Sequence, residues 1–336
     1  MALTGTVFAE EKAAAGRKQN IMNTIYLNES TGALPPSVAT IGFFDGVHRG
    51  HQFLIRHVAD EAQAAGMASM VITFDRHPRQ VLQQDYQPEL LSTLDSKLLL
   101  LSRTGVDTCC VLPFTVELAR LSAREFMRQV LRDRLNVRKL VIGYDNRFGH
   151  DRREGFEEYV AHGRELGIEV LKNISFSLHG VNVSSSVVRS YISEGEVEMA
   201  NACLGYPYTI AGRVVSGYRQ GRELGYPTAN LDTAGYGQML PAPGVYAVKV
   251  RTENSLVWRR AMMNIGTRPT FEGREQTLEV HIFHFADMIY GERLLVAFMH
   301  RIRAERKFKS INDLVAQLRI DAKLVDEQFD KDNEQE

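Results

Sequence analysis

The spacing of apolar residues changes character once along the chain, and that change limits the folds open to it. From Ser37 to Arg189 short apolar runs alternate with helical stretches, the pattern of a parallel sheet covered by helices. Val38-Ala39-Thr40-Ile41 reads as a strand. Residues from about Gly50 to Ala65 read as a helix, with Leu54, Ile55, Val58 and Ala62 on one face and Gly66 as its stop. Further strands are expected at Met70 to Phe74, Thr108 to Leu112, Lys139 to Gly143 and Ile168 to Leu171, and one intervening helix opens on the capping box Ser122-x-x-Glu125. Around Gly205-Tyr206-Pro207 this rhythm stops, and Pro and Gly punctuate alternating strand patterns instead. Tyr246 to Val250, Val257 to Met263, Thr277 to Phe285 and Arg293 to His300 read as antiparallel strands, enough for a small barrel. A last helix, capped by Ser310 with Asp313 three residues on, would pack Ile311, Leu314, Leu318 and Leu324 against it.

The predicted architecture is an α/β domain with a parallel sheet at residues 22–205, then a small antiparallel β-barrel with a terminal helix at 206–332. A length of 336 residues exceeds what one core usually fills, which agrees with two domains. Residues 1–21 contain Glu10, Glu11, Lys12, Arg17 and Lys18 and no continuous apolar core of a signal peptide, so they are expected to be a tail. Met22 is an alternative start, since Thr24-Ile25-Tyr26-Leu27 follows it. No apolar run approaches the length of a membrane span. Forty basic against 41 acidic residues, a net charge of −1, argue against a dominant drive toward nucleic acid or anionic membrane. Cys109, Cys110 and Cys203 form no C-x-x-C pair and leave one thiol over in any disulfide scheme, so a cytoplasmic setting is expected.

Candidate chemistry begins at Gly42-Phe43-Phe44-Asp45-Gly46-Val47-His48-Arg49-Gly50-His51, between a strand and a helix. A helix N-terminus offers unpaired N–H groups and the positive end of the dipole, and His48 and His51 add donors for a phosphate that changes geometry. The tetrapeptide H-x-G-H alone arises by accident in roughly two of a hundred chains of this composition, so its place in the pattern carries the argument. Ser184-Ser185-Ser186-Val187-Val188-Arg189 starts a second helix with hydroxyls and a guanidinium suited to an anion; simple capping is the alternative. Thr73-Phe74-Asp75-Arg76-His77-Pro78 and Gly143-Tyr144-Asp145-Asn146-Arg147-Phe148-Gly149 follow strands where a second substrate could bind, and strand-end loops with internal ion pairs are the other reading. In the second half, Gly212, Gly217, Gly221 and Gly225 precede Tyr226-Pro227-Thr228-Ala229-Asn230. There is no G-x-x-x-x-G-K-[ST], but Thr228 and Asn230 supply neutral oxygens suited to Mg²⁺ held mostly by phosphate and water; taken alone, the segment favours glycine turns with a structural Pro. Thr277 to Ile282 alternates strictly, which puts Glu279 and His281 on one face, toward water or into a pocket.

Taken together and in order, these motifs resemble the bacterial bifunctional riboflavin kinase/FMN adenylyltransferase family, the FAD synthetases, over nearly all of residues 22–332. To those above are added Pro243-Gly244-Val245-Tyr246, Asn264-Ile265-Gly266-x-Arg268-Pro269-Thr270 and Tyr290-Gly291. The chain departs from the family pattern at Phe43 (often Asn), Arg76 (Pro), Asn146 (Phe or His) and Ser186 (Thr); none of these removes a group assigned to chemistry, and Phe43 leaves one polar contact to nucleotide open.

The resemblance implies a Rossmann-like sheet of the nucleotidyltransferase type and two reactions, with riboflavin, FMN and ATP as partners. ATP would phosphorylate riboflavin in the barrel, with Glu279 as general base, Gly217, Gly221, Gly225, Thr228 and Asn230 around ATP, and Thr228 and Asn230 toward Mg²⁺. FMN would then take an adenylyl group from ATP, giving FAD and pyrophosphate. His48 and His51 would stabilise the transferring phosphate, Phe44, Asp45, Gly46, Ser184, Ser185 and Arg189 would bind ATP, and Asp75, His77, Asp145 and Arg147 the flavin nucleotide. FMN and FAD are on this view substrate and product rather than prosthetic groups, and self-association is left open. Two other readings compete. A nucleotidyltransferase acting on another phosphorylated small molecule is opposed by the motifs from Gly225 to Glu279. A flavin-binding regulator without catalysis is opposed by the retention of His48, His51, Arg189, Thr228, Asn230 and Glu279.

Overall fold

A computed structural model describes residues 21–28, 32–83, 85, 87–144, 146–150, 153–217, 221, 224–270 and 273–335. The chain divides into two compact units, one ending at Ser185 and the other beginning at Ser186. In the first, strands β1 (Asn23–Tyr26), β2 (Ser37–Ile41), β3 (Ala68–Phe74), β4 (Thr108–Leu112), β5 (Val137–Ile142) and β6 (Glu169–Lys172) form a parallel sheet in the order β1-β4-β3-β2-β5-β6. Helices α1 (Arg49–Ala65), α2 (Pro78–Leu82), α3 (Leu94–Ser102), α4 (Val116–Arg120), α5 (Ala123–Phe126) and α6 (Phe156–Leu166) connect the strands. A short hairpin, β7 (Ser177–Leu178) and β8 (Val181–Asn182), follows.

Strand alternation explains how both faces of this sheet are filled. Val38, Val71, Cys109 and Val111 join Leu54, Ile55, Val58 and Ala62 of α1 on one side. Their neighbours Ala39, Ile41, Met70, Ile72, Cys110 and Leu112 join Phe126, Tyr159 and Leu166 on the other. Buried on both faces, such strands lose the polar alternation of a half-exposed sheet and read as continuous apolar runs. Cys109 and Cys110 are therefore core residues, their thiols pushed up to about 12 chiefly by burial. Helix α1 stops where Gly66 takes the left-handed conformation (φ 62°) and returns its N–H to Ala62 and Gln63. Because β2 is flanked by β3 and β5, strand order reverses beside it, and in open sheets of this kind ligands bind beyond the carboxyl end of the strand at that point.

The second unit takes in nearly all of α7 (Ser185–Glu194), α8 (Val197–Leu204), β9 (Thr209–Val215), β10 (Ala229–Asp232), β11 (Gly244–Thr252), β12 (Arg259–Thr270), β13 (Gly273–Ile282), β14 (Arg293–Ala304) and α9 (Ile311–Gln335). Its strands close a barrel in the order β10-β13-β12-β11-β14-β9. Two of them, β9 and β10, lie outside the four strands expected from the sequence. The strand expected from Val257 begins two residues later, because the Ser255 hydroxyl takes the Val257 N–H in a turn. The one expected to reach Phe285 ends at Ile282, and His284, at φ 54°, turns the chain away.

Helix α9 also corrects the expected packing. Ile311 is 67% exposed and Leu324 40%, whereas Val325 and Phe329 are buried with Val245, Ala247 and Met262 of the barrel wall. Leu318, Val325 and Phe329 follow helical spacing along one stripe, and Leu324 falls about 100° away from it. Among the described residues no helix is long and apolar enough to cross a membrane.

Candidate active site

Beyond β2 the chain makes a tight 3₁₀ turn, Asp45–Val47, before entering α1. Phe44 (φ 54°), Gly46 (φ 71°) and Val47 (φ 37°) all take positive φ. For the two non-glycine residues this costs roughly 1–2 kcal/mol each, so the turn is held from outside. The Asp45 carboxylate holds it: it accepts the N–H groups of Leu91 and Ser92 and the Ser92 hydroxyl, while Gly46 donates its N–H to Ser92 Oγ at 3.0 Å. Asp45 and Gly46 thus have local hydrogen-bond work of their own. The Phe44 ring is buried edge-on to His51, with centroids 5.1 Å apart, so its side chain shapes the site from beneath.

His48 caps α1, its Nδ1 accepting the His51 N–H at 3.3 Å, which leaves the proton of a neutral ring on Nε2. The two imidazoles stack, with centroids 3.6 Å apart and planes at 20°. His51 Nδ1 is buried and has no hydrogen-bond partner among the described residues. Burial above all, then the neighbouring His48 and Lys97, holds His51 well below the ordinary imidazole range. His51 is accordingly neutral at neutral pH, able to offer a polarised hydrogen bond in place of a cation.

The serine motif, some 140 positions away, arrives at this turn. Ser185 Oγ donates to Asp45 O at 3.1 Å. A Cβ at Gly50 would lie 3.0 Å from Val183 O and 3.1 Å from the His48 ring, so glycine is what lets that segment cross the start of α1. Ser184 immediately precedes Ser185, and Arg189 follows one turn along α7. Of the expected flavin contacts, the Asp75 carboxylate accepts Phe114 N–H at 2.8 Å and pairs with Arg76. His77 caps α2 and meets the Phe43 ring edge-on at 4.9 Å. Arg147 is exposed, and Asp145 lies outside the described residues. Asn146 reaches back to Ile41 O, and Phe148 stacks on Tyr159 at 4.3 Å, which ties the 143–149 loop to the sheet.

Lys97 was absent from the sequence-based site. Only 2% exposed, it donates to Phe43 O at 3.1 Å and Phe74 O at 3.0 Å. A signal existed: Leu94, Lys97, Leu98 and Leu101 share one helical face, so a charge occupies an apolar stripe.

In the barrel the register builds the site. Glu279 on β13 stands opposite Asn230 on β10 and opposite Asn264 on β12, which puts three polar side chains in a row across adjacent strands. The neighbouring Leu278 and Val280 are buried on the other face of β13. A cavity of about 160 Å³ opens on Glu279 and Asn264 of this row, bounded by Thr228, Met262, Arg303 and, on α9, Leu314 and Leu318. His281 lines it too, bonding Pro227 O through Nδ1 at 2.8 Å.

Glycine packs the P-T-A-N segment tightly. A Cβ on Gly217 would come within 2.0 Å of the Asn230 amide, and one on Gly221 within 2.4 Å of Tyr226 O. Gly225, at φ 81°, makes the turn into Tyr226. Among the described residues no group of three or more His, Cys, Asp or Glu could hold a metal ion. Thr228 and Asn230 offer neutral oxygens beside the Glu279 carboxylate, a donor set that fits Mg²⁺ carried on phosphate and water.

A histidine turn at a helix N-terminus and a polar row on a barrel, two unrelated architectures in one polypeptide, fit the class of bifunctional nucleotide-processing transferases. Residues 31–187 match the FAD synthetase family and residues 204–329 the riboflavin kinase family. Bifunctional riboflavin kinase/FMN adenylyltransferases from Haemophilus influenzae and Escherichia coli are each 37% identical, over 89% and 87% of this chain and 96% and 92% of theirs. That of Bacillus subtilis is 33% identical over 85% of this chain and 90% of its own. The chain belongs to the bifunctional riboflavin kinase/FMN adenylyltransferase family. A solved Streptococcus pneumoniae structure, described as a macrolide-efflux protein, has a TM-score of 0.81 at 33% identity and covers 90% of this chain and 99% of that one.

Proposed function

We propose that the chain carries riboflavin to FAD in two ATP-dependent steps. In the barrel the ribityl 5′-hydroxyl oxygen attacks the γ-phosphorus of ATP, ADP departs, and the hydroxyl proton passes to Glu279. Thr228 and Asn230 would hold Mg²⁺ carried on the phosphates, which would supply charge neutralisation there. Gly217, Gly221 and Gly225 let the backbone lie close to ATP. In the sheet unit an FMN phosphate oxygen attacks the α-phosphorus of a second ATP, and pyrophosphate departs with the electrons of the broken P–O bond.

His48 and His51 donate hydrogen bonds to the phosphate oxygens as charge builds there. Ser184, Ser185 and Arg189 hold the polyphosphate. Asp75, His77, Asp145 and Arg147 hold FMN, and Phe44, Asp45 and Gly46 set the nucleotide turn. Both reactions depend on positioning and charge neutralisation, with no covalent enzyme intermediate.

The observation that carries this reading is the row of Asn230, Glu279 and Asn264 in register beside Thr228. It supports a carboxylate base next to a phosphate-bound cation in the same chain as the histidine turn. The working domains are residues 22–205 and 206–332; the expected tail, residues 1–21, lies outside the described residues but for its last position. A cytoplasmic setting is supported by three buried free cysteines. Incubation with riboflavin, ATP and Mg²⁺, followed by chromatography of the flavins, tests the proposal. FMN and then FAD should accumulate, and unconverted riboflavin refutes it.

A further inference from the structure

Lys97 is a buried cation of the sheet unit, and its surroundings do not offset the cost of burying it. Its ammonium is satisfied by two backbone carbonyls, Phe43 O and Phe74 O, and sits 4.2 Å from the centre of the Phe43 ring. Among the described residues it forms no ion pair, because the nearby carboxylates are engaged elsewhere: Asp45 with Leu91 and Ser92, Asp75 with Phe114 and Arg76. Taking a charge out of water costs several kcal/mol, and a leucine would continue the apolar stripe of α3 at no such cost. The two carbonyls it joins are not arbitrary. Phe43 follows β2 and leads into the histidine turn, and Phe74 ends β3 and leads into Asp75 and His77. These strands are neighbours, with Ile41 opposite Ile72, and Thr73 Oγ1 also bonds Phe43 O at 3.1 Å.

We propose that Lys97 is a positioning residue for adenylyl transfer: it clamps the carboxyl ends of β2 and β3 so that the two ligand loops keep one spacing, and it lends a fixed positive charge to the anionic reactants gathered there. This rests on the adenylyl-transfer reading of the sheet unit. An ammonium has three N–H donors, and two are used in the clamp. Burial first, then His48 and this cation, hold His51 neutral, so the imidazole donates a hydrogen bond while the lysine supplies the charge. Burial brings Lys97 itself down to about 8, against the pull of Asp45, Cys109 and Asp75 in the other direction. Adenylyl transfer should therefore weaken as pH rises through about 8, where the ammonium loses its proton.

The test uses the full chain carrying Lys97→Met or Lys97→Arg. FAD formation from FMN and ATP is followed from about pH 6.5 to 9.5, with thermal unfolding recorded for each protein. Loss of the clamp in Lys97→Met should lower kcat/KM for FMN about 100-fold, the usual scale for a misplaced reacting group. Lys97→Arg should retain activity within about tenfold and lose the alkaline decline, since a guanidinium stays protonated. Wild-type rates in Lys97→Met would overturn the proposal. So would losses in both variants that only follow the unfolded fraction, with the alkaline decline unchanged in Lys97→Arg. A wild-type chain that makes no FAD from FMN would instead remove the adenylyl-transfer reading itself.

Discussion

The two units handle phosphate with opposite building methods. In the sheet unit the site is gathered from strand-end loops far apart in sequence, with Ser185 brought to Asp45 and Lys97 reaching the ends of two different strands. In the barrel it is laid out by register, with Asn230, Glu279 and Asn264 side by side because their strands are neighbours. The first method needs buried polar groups to fix its loops: Asp45, His48, Ser92 and Lys97 are all at most 5% exposed. The second needs close backbone packing, supplied by Gly217 and Gly221. Electrostatic preorganisation dominates one site, and sheet geometry dominates the other.

The largest effect that separates them should come from Glu279→Gln. Loss of the base should slow riboflavin phosphorylation by about 10²- to 10⁴-fold, measured as FMN formed, while FMN-to-FAD conversion stays near its original rate. His51→Ala should do the reverse, lowering FAD formation about 10²- to 10³-fold, the usual effect of removing one donor to developing charge. Gly217→Ala should cost about tenfold in riboflavin phosphorylation, because its Cβ displaces the Asn230 amide, and should leave adenylyl transfer unmoved. Equal losses in both activities would erase the contrast.

The smallest effect is on stability. His300 lies between Glu198 (3.4 Å) and Asp332 (3.0 Å), joining α8 to α9 across β14. Burial lowers its affinity for a proton, but the hydrogen bonds it donates to Glu198 and Asp332 outweigh burial and raise it above the ordinary value. A raised histidine contributes stability that is complete below its unfolded pKa and lost as pH rises through the folded one. Glu198 is held low: burial opposes this, and bonds from His300 and backbone N–H groups prevail, so its contribution is lost as pH falls. The barrel should melt a few degrees lower at pH 8.5 than at pH 6.5, and His300→Gln should flatten that difference in calorimetry.

The same contrast governs what the sequence makes legible. The face Leu54, Ile55, Val58 and Ala62 is the buried face of α1, since one helix against one sheet obeys a single period. Glu279 and His281 share a face because alternation is a local property, and both line the cavity. Strand β10 hides behind its turn-like glycines and proline, and its place in the barrel depends on partners β9 and β13 that local pattern does not name. Phe329 is buried with Val325 against the barrel wall, while Leu324, more conspicuous in sequence, is exposed, because which stripe of α9 is covered depends on a wall distant in sequence. Lys97 is legible only as an anomaly, a charge on an apolar face whose meaning depends on two strand ends meeting.

Mixing the Glu279→Gln and His51→Ala proteins, each folded and each supplied with riboflavin, ATP and Mg²⁺, tests most directly whether one chain holds two independent sites. Each alone should fail to make FAD, with FMN accumulating only in His51→Ala, and the mixture should restore FAD as free FMN passes from one protein to the other. Loss of both riboflavin phosphorylation and FMN adenylylation in either folded variant would contradict the account.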